Sequence, residues 1–481
     1  MSHSWIRFYW IGIWVGLACT KPSEDDGVVD TQDTRDSSTV VDTQDTQPVD
    51  TETDSPPVDT SPVDTGEPDP DPDPDPDPEP EPEPDPFYNL CGEGKTSTRP
   101  AGTWSDPVIA EVMVMVDRAD TSTSTEDQID FYDCASSTSE SGPEVIYRFE
   151  APSSGTFRAE LTDPQGVDID IHLLQNPSIS AGKATGCIAR AHEALEVSGL
   201  AAGEYWVVAD TWSSGSTEYA GSYELAFEFV PDDAWTTIPL TSGLSWERKR
   251  DTALAGGDQT VNVLRMDLSA GFDLQPQSHS GCKTVPSVLQ NIGAHAGING
   301  GFFGSGCSLL DLFKSDGNLI STNGLHDYQQ RSLGWSAPNS ATMKWVDRGV
   351  DWGGVSNAMG GYPSLVEGGT ARAEIYPGEQ VWSSTDWSKH PRTAVGLNNS
   401  GELLMVTVDG RTAAGDGMTT TELAELMRDL GASEAMNLDG GGSTTMSISD
   451  CWINDVVNHP SDNGSADHNG ARTVGSGLYV R

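Results

Sequence analysis

The sequence predicts a multidomain chain: a disordered acidic linker, then an all-β sandwich, then an α+β (mixed α/β) domain. Three observations predict this. Residues 20–86 are built from Asp, Glu, Pro and Thr, with almost nothing apolar. Residues 89–230 hold short β-forming runs separated by turn residues. Residues 231–481 mix such runs with segments of helical spacing. At 481 residues the chain has room for two or three domains.

The first element, residues 1–19, reads as an export signal. His3 and Arg7 flank or precede an apolar run from Phe8 to Ala18 that is too short to cross a bilayer as a helix. The run ends at Ala18-Cys19 with polar residues directly after, and this junction resembles a bacterial lipobox, with Gly16 where Leu is usual. A lipidated Cys19 anchoring the chain to a membrane of the cell envelope is the expectation. An ordinary signal peptide with an incidental cysteine is the alternative.

The second element, residues 20–88, holds 23 of the 74 acidic residues between positions 20 and 86. It cannot bury enough surface to fold. Proline fixes φ and like charges repel, so an extended spacer is expected. The formal net charge of -48 repels nucleic acid, which is excluded as a partner. It would also repel an anionic substrate, so a phosphate site must be a local basic or amide-rich pocket.

Seven cysteines are present, six without Cys19, an even number suited to an oxidising compartment. Proximity suggests Cys134–Cys187 and Cys282–Cys307. Cys91 and Cys451 then either tie two domains together or stay free. There is no CxxC pair and no Cys/His group with zinc spacing, so no metal centre is expected.

The third element, residues 89–230, contains Val145–Glu150, Gly155–Thr162, Val167–Leu174, Tyr205–Asp210 and Ser222–Val230, the pattern of a small sandwich. The stretches VDIDIHLL, GLAAGEYWVVADTW and AGSYELAFEF together resemble the bacterial pre-peptidase C-terminal domain, an accessory sandwich beside secreted hydrolases. That resemblance implies polymer binding or a role in secretion, and structural calcium in some members. Asp168 and Asp170 alternate on one strand and could serve calcium or simply face solvent.

The fourth element, residues 231–481, has strand-like runs at Thr260–Leu268, Ala394–Leu397 and Leu403–Val408. Helices are expected at Val285–Ile292 and at Thr420–Leu430, where Leu423, Leu426, Met427 and Leu430 share a face and Gly431 follows as a stop. Between them lie polar, glycine-rich islands: AGINGGFFG (296–304), MGGYPSLVEGG (359–369), HPRTAVG (390–396), VTVDGRT (406–412), MNLDGGGSTTM (436–446) and NHPSD (458–462). In each, glycine lets backbone approach a ligand and aim N–H groups at it, which suits a phosphate or a sugar.

In this order, from about 261 to 480, the islands resemble the phosphodiester glycosidase family. The resemblance implies hydrolysis between a sugar's anomeric carbon and a phosphate in a phosphodiester-linked glycan, with no cofactor required. Asp439, beside Gly440-Gly441-Gly442-Ser443, suits a nucleophile or general base, or else an Asp-Gly turn. Asp409, before Gly410-Arg411, carries the same ambiguity as a catalytic partner. Arg392 offers a planar fork for phosphate, or a surface ion pair; Arg472 follows by family position. Arg411, Asp462 and Ser443 lie in the same islands. Asn299 with Gly300 and Gly301 could bond a sugar hydroxyl or make a turn. Glu422 completes the capping box Thr419-x-x-Glu422, which alone explains it; the family pattern carries a Glu here, and a catalytic role is the alternative. His390 and His459 receive no catalytic role.

Overall fold

The computed structural model describes residues 88–91, 99–110, 114–324, 329–377, 379–380 and 388–481. The export segment with Cys19, and the acidic linker up to residue 87, lie outside the described residues. The rest belongs to one compact unit, Pro80–Arg481.

Residues 88–231 build two facing sheets. One has five antiparallel strands in the order Tyr88–Leu90, Val114–Asp120, Ser222–Pro231, Gly155–Thr162 and Ala194–Leu200. The other has six, with Glu144–Ala151, Gly203–Thr211 and Ile169–Ser180 at its centre. Between them Tyr147, Phe149, Phe157, Tyr205, Phe227 and Phe229 form one apolar cluster. Side chains alternate along a strand, so Met115 and Phe227 enter this core while Val114, Val116 and Ala226 point the other way. Those three join a second core with Ile238, Trp246 and Leu264. Burial on both faces explains why apolar residues of Ser222–Pro231 fall on both sides of the strand, Leu225, Phe227 and Phe229 on one and Ala226 on the other.

Residues 236–481 add three sheets. The largest is antiparallel, ordered Thr236–Thr241, Leu244–Asp251, Gln259–Asp267, Glu402–Val408, Arg392–Asn398, Ala432–Asn437, Ser364–Glu367, Thr370–Tyr376 and Glu379–Gln380. The helix Thr420–Asp429 lays Leu423, Ala424, Leu426 and Met427 on it, against Val263, Leu404 and Val406. Thr419 and Glu422 cap this helix reciprocally, as the sequence predicts. A four-stranded sheet pairs Leu274–Lys283, Val474–Val480, Ala296–Asn299 and Met446–Ile448, and the helix Val285–Ile292 packs beside it. A third sheet of five strands spans 313–361. Both expected helices are present, but antiparallel sheet dominates, so the region is β-rich and multi-sheeted, and fits the expected α+β (mixed α/β) class only loosely.

Among the described residues three disulfides form: Cys91–Cys451, Cys134–Cys187 and Cys282–Cys307. They mark a chain folded in an oxidising compartment outside the cytoplasm. Cys91–Cys451 joins the end of the sandwich strand Tyr88–Leu90 to the C-terminal region, across 360 residues of sequence. Cys282–Cys307 closes a 25-residue separation around Asn299, a loop whose closure contributes on the order of 3 kcal/mol on the chain-entropy account. Among the described residues no helix is long and apolar enough to cross a membrane.

Candidate active site

Four strand ends meet at one place. Arg392 opens its strand opposite Val408, which closes the neighbouring one, and Asn437 ends the third opposite Ala394. Asn299 ends a strand of the four-stranded sheet. Its amide joins the two sheets. Nδ2 donates to the Asp439 carbonyl at 2.7 Å, and Oδ1 accepts from Thr393 Oγ1 at 2.8 Å and from the Thr445 amide at 3.1 Å. Asn299 is fully buried and its polar atoms are committed to protein, so it fixes the Asp439 loop rather than facing a sugar.

Asp439 leaves the strand Ala432–Asn437 and enters the turn Gly441–Ser443. Its own amide donates to the Gly300 carbonyl at 3.1 Å, which ties the two glycine islands together. Burial raises its carboxyl to about 6, while Ser443, the charge of Arg472 and the Gly440 amide pull the other way. Two cations flank the turn. Gly441 adopts φ 61°, and a Cβ there would lie 3.0 Å from the Arg411 guanidinium. A Cβ on Gly442 would collide with Asp462 and Arg472. These glycines are therefore what lets both guanidinium groups approach the Asp439 turn. Arg472 is itself held by Asp462 in a bidentate pair at 2.6 and 2.7 Å. Arg411 donates to His390 Nδ1 at 3.0 Å, and burial, Arg411 and Arg392 lower the His390 pKa.

Other expected residues are placed differently. Arg392 is buried and donates Nε to the Met418 carbonyl at 2.7 Å and Nη2 to the Ser388 carbonyl at 2.9 Å. It secures two loops, because the strand that holds it rigidly also buries it. The Gly441 amide is taken by the Pro391 carbonyl at 2.8 Å and is therefore not free to hold an anion. Asp409 is fully buried and spends its carboxylate on Asn458 Nδ2, the His459 amide and His459 Nδ1, the last at 2.7 Å. It orients His459 rather than partnering Asp439. Glu422 accepts from the Thr419 amide at 2.8 Å and from its hydroxyl at 2.9 Å, and acts as the helix cap, outside the cluster around Asp439. Asp168 and Asp170 face His192, and Asp170 also pairs with Arg190.

One acid was not singled out from sequence. Asp311, inside the apolar run 309–313, is buried and accepts from the Phe302 amide and from Gln330 Nε2. A Cβ on Gly301 would strike its carboxylate. Burial raises it to about 7; Gln330 and Phe302 oppose that, and the Asp439 charge adds to it. An acid in the middle of a buried strand-like run was the available signal.

The pH consequence follows from the direction of these shifts. A nucleophile or base at Asp439 would have to be ionised, and burial raises its pKa, so that form is lost as pH falls through about 6. The kcat/KM profile is expected to show an acidic limb near that value. A limb at the ordinary aspartate value of about 3.9 would mean that Asp439 is solvated rather than buried at work.

The family model "Phosphodiester glycosidase" matches residues 292–481. A mouse protein named N-acetylglucosamine-1-phosphodiester alpha-N-acetylglucosaminidase is 27% identical over 207 residues, covering 40% of this chain and 40% of its own length. An SPbeta prophage-derived uncharacterized protein of Bacillus subtilis is 37% identical over 76 residues, covering 15% of this chain and 12% of its own. The chain thus spans less than half the length of the curated relatives it matches. The solved catalytic domain of the zebrafish N-acetylglucosamine-1-phosphodiester alpha-N-acetylglucosaminidase, auto-inhibited by its pro-peptide, aligns at TM-score 0.42 and 19% identity, covering 52% of this chain and 87% of that one. The stretch that matches the phosphodiester glycosidase family model, residues 292–481, contains Asp439 and its flanking arginines.

Proposed function

We propose that this region hydrolyses sugar phosphodiesters at the bond between the anomeric carbon and oxygen, with N-acetylglucosamine-1-phosphodiester-like glycans as the substrate class. The observation that carries the reading is Asp439 on a glycine turn with the Arg411 and Arg472 guanidinium groups beside it. A carboxylate suits attack on, or water activation at, an anomeric carbon. Adjacent cations stabilise a departing phosphate, which is already a good leaving group. In an acidic chain they supply the local basic pocket that an anionic substrate needs. The sandwich, in this reading, is an accessory domain of the pre-peptidase C-terminal type, and the acidic linker with a lipidated Cys19 holds both at the cell envelope.

The test is hydrolysis of an N-acetylglucosamine-1-phosphodiester in oxygen-18 water. Anomeric C–O cleavage puts the label in free sugar and leaves a phosphomonoester on the acceptor. Labelled sugar 1-phosphate would instead show P–O cleavage by a phosphodiesterase. No product from any sugar phosphodiester would leave a binding protein with a degenerate domain.

A further inference from the structure

Away from Asp439, the seam between the sandwich and the glycosidase domain collects Glu228, His459 and His468. All three are at most 2% exposed. They come from the strand Ser222–Pro231 and from the single long connection between Met446–Ile448 and Val474–Val480, and one ligand atom from each lies within 4.8 Å of the others. His459 Nδ1 sits 2.7 Å from Asp409 Oδ2, so the proton resides on Nδ1 and the Nε2 lone pair is left available. That Nε2, and both ring nitrogens of His468, are buried without a hydrogen-bond partner. His468 Nε2 is 3.7 Å from Glu228 Oε1, too far for a hydrogen bond. Buried ring nitrogens left unpaired need an explanation.

We propose that this seam is a binding site for a divalent transition metal, zinc by preference, held by His459 Nε2, a ring nitrogen of His468 and Glu228. Two imidazoles and a carboxylate are a zinc donor set, and a carboxylate behind the ligating imidazole is its usual support. Asp409 fills that supporting role. The surrounding charges accommodate a cation. Arg248 pairs with Glu228 Oε2, leaving Oε1, which Arg158 approaches at 3.4 Å. Arg158 keeps Glu196 at 3.1 Å when a metal takes Oε1. Asp409, Glu228 and Glu196 together outnumber the two guanidinium groups. The site fastens the sandwich to the glycosidase domain. It also braces the strand end that leads through Asp409 to Arg411.

The test uses the full chain. Metal content after dialysis against zinc and gel filtration is read by mass spectrometry, and cobalt substitution is followed by its visible spectrum. One zinc per chain is expected, with a cobalt spectrum typical of a four-coordinate nitrogen–oxygen site. Asp409→Asn should weaken binding by about 10–100-fold, and His468→Ala should lose it. His192→Ala, in the Asp168–Asp170 cluster, should change nothing. A folded wild-type chain that retains no stoichiometric zinc or cobalt overturns the proposal, whatever the variants do. Zinc that survives His468→Ala and disappears with His192→Ala overturns it equally. Neither readout depends on which bond the enzyme cleaves.

Discussion

Asp439→Asn is expected to reduce kcat on a sugar phosphodiester by at least about 10³-fold, with KM and melting temperature little changed. The substitution keeps shape and removes charge. Burial already opposes ionisation of this carboxyl, so a neutral amide removes a desolvation cost rather than adding one. The strand below it and the Asn299 clamp on its carbonyl do not involve the side chain. What disappears is the ionised oxygen, which both direct attack and water activation require. Steady-state kinetics and thermal melts on the same preparation separate the two effects. Near-full activity would remove Asp439 from the chemistry; a large fall in melting temperature would make it a structural residue.

The sequence made some of this legible and hid the rest for identifiable reasons. The helix Thr420–Asp429 could be read because its cap and its apolar stripe are local, and Gly431 follows it with φ 95°. The strand runs could be read because both faces are buried. Sheet order could not: Gln259–Asp267 pairs with Glu402–Val408, and nothing local encodes so distant a partner. The same limit governs the site. Asp439 and its glycines stood out as a polar island, but whether Asp409 faced substrate or His459 depended on a residue 50 positions later. Arg392 was the attractive phosphate ligand by chemistry, and strand placement suggested rigidity. Rigidity came with burial, and its guanidinium serves backbone carbonyls. Asp311 was concealed by the apolar residues around it. The seam of Glu228, His459 and His468 joins a sandwich strand to loops some 230 residues on, so no spacing rule could have revealed it.

Arg472→Ala is expected to separate charged from uncharged substrates. The Arg472 guanidinium lies against Gly442 and acts electrostatically on Asp439. Its bidentate pair with Asp462 is 41% and 35% exposed, so it adds little to stability and its loss should leave the fold intact. A phosphate leaving group should feel the loss as about 10²–10³-fold in rate, whereas an aryl glycoside of the same sugar, with no phosphate to stabilise, should be nearly unaffected. The acidic limb should also move to higher pH, because Arg472 is one of the groups holding the Asp439 carboxyl down. Arg392→Ala should behave differently. It removes the two guanidinium hydrogen bonds, one to the Ser388 carbonyl and one to the Met418 carbonyl, which still accepts from the His390 amide, at about 1.5–3 kcal/mol for each charge-assisted bond, so it should lower the melting temperature and impair both substrates alike. Kinetics of the two variants on both substrates, with pH profiles for Arg472→Ala, decide the matter. Equal losses on both substrates for Arg472→Ala, or a selective phosphodiester loss for Arg392→Ala, would return the phosphate to Arg392.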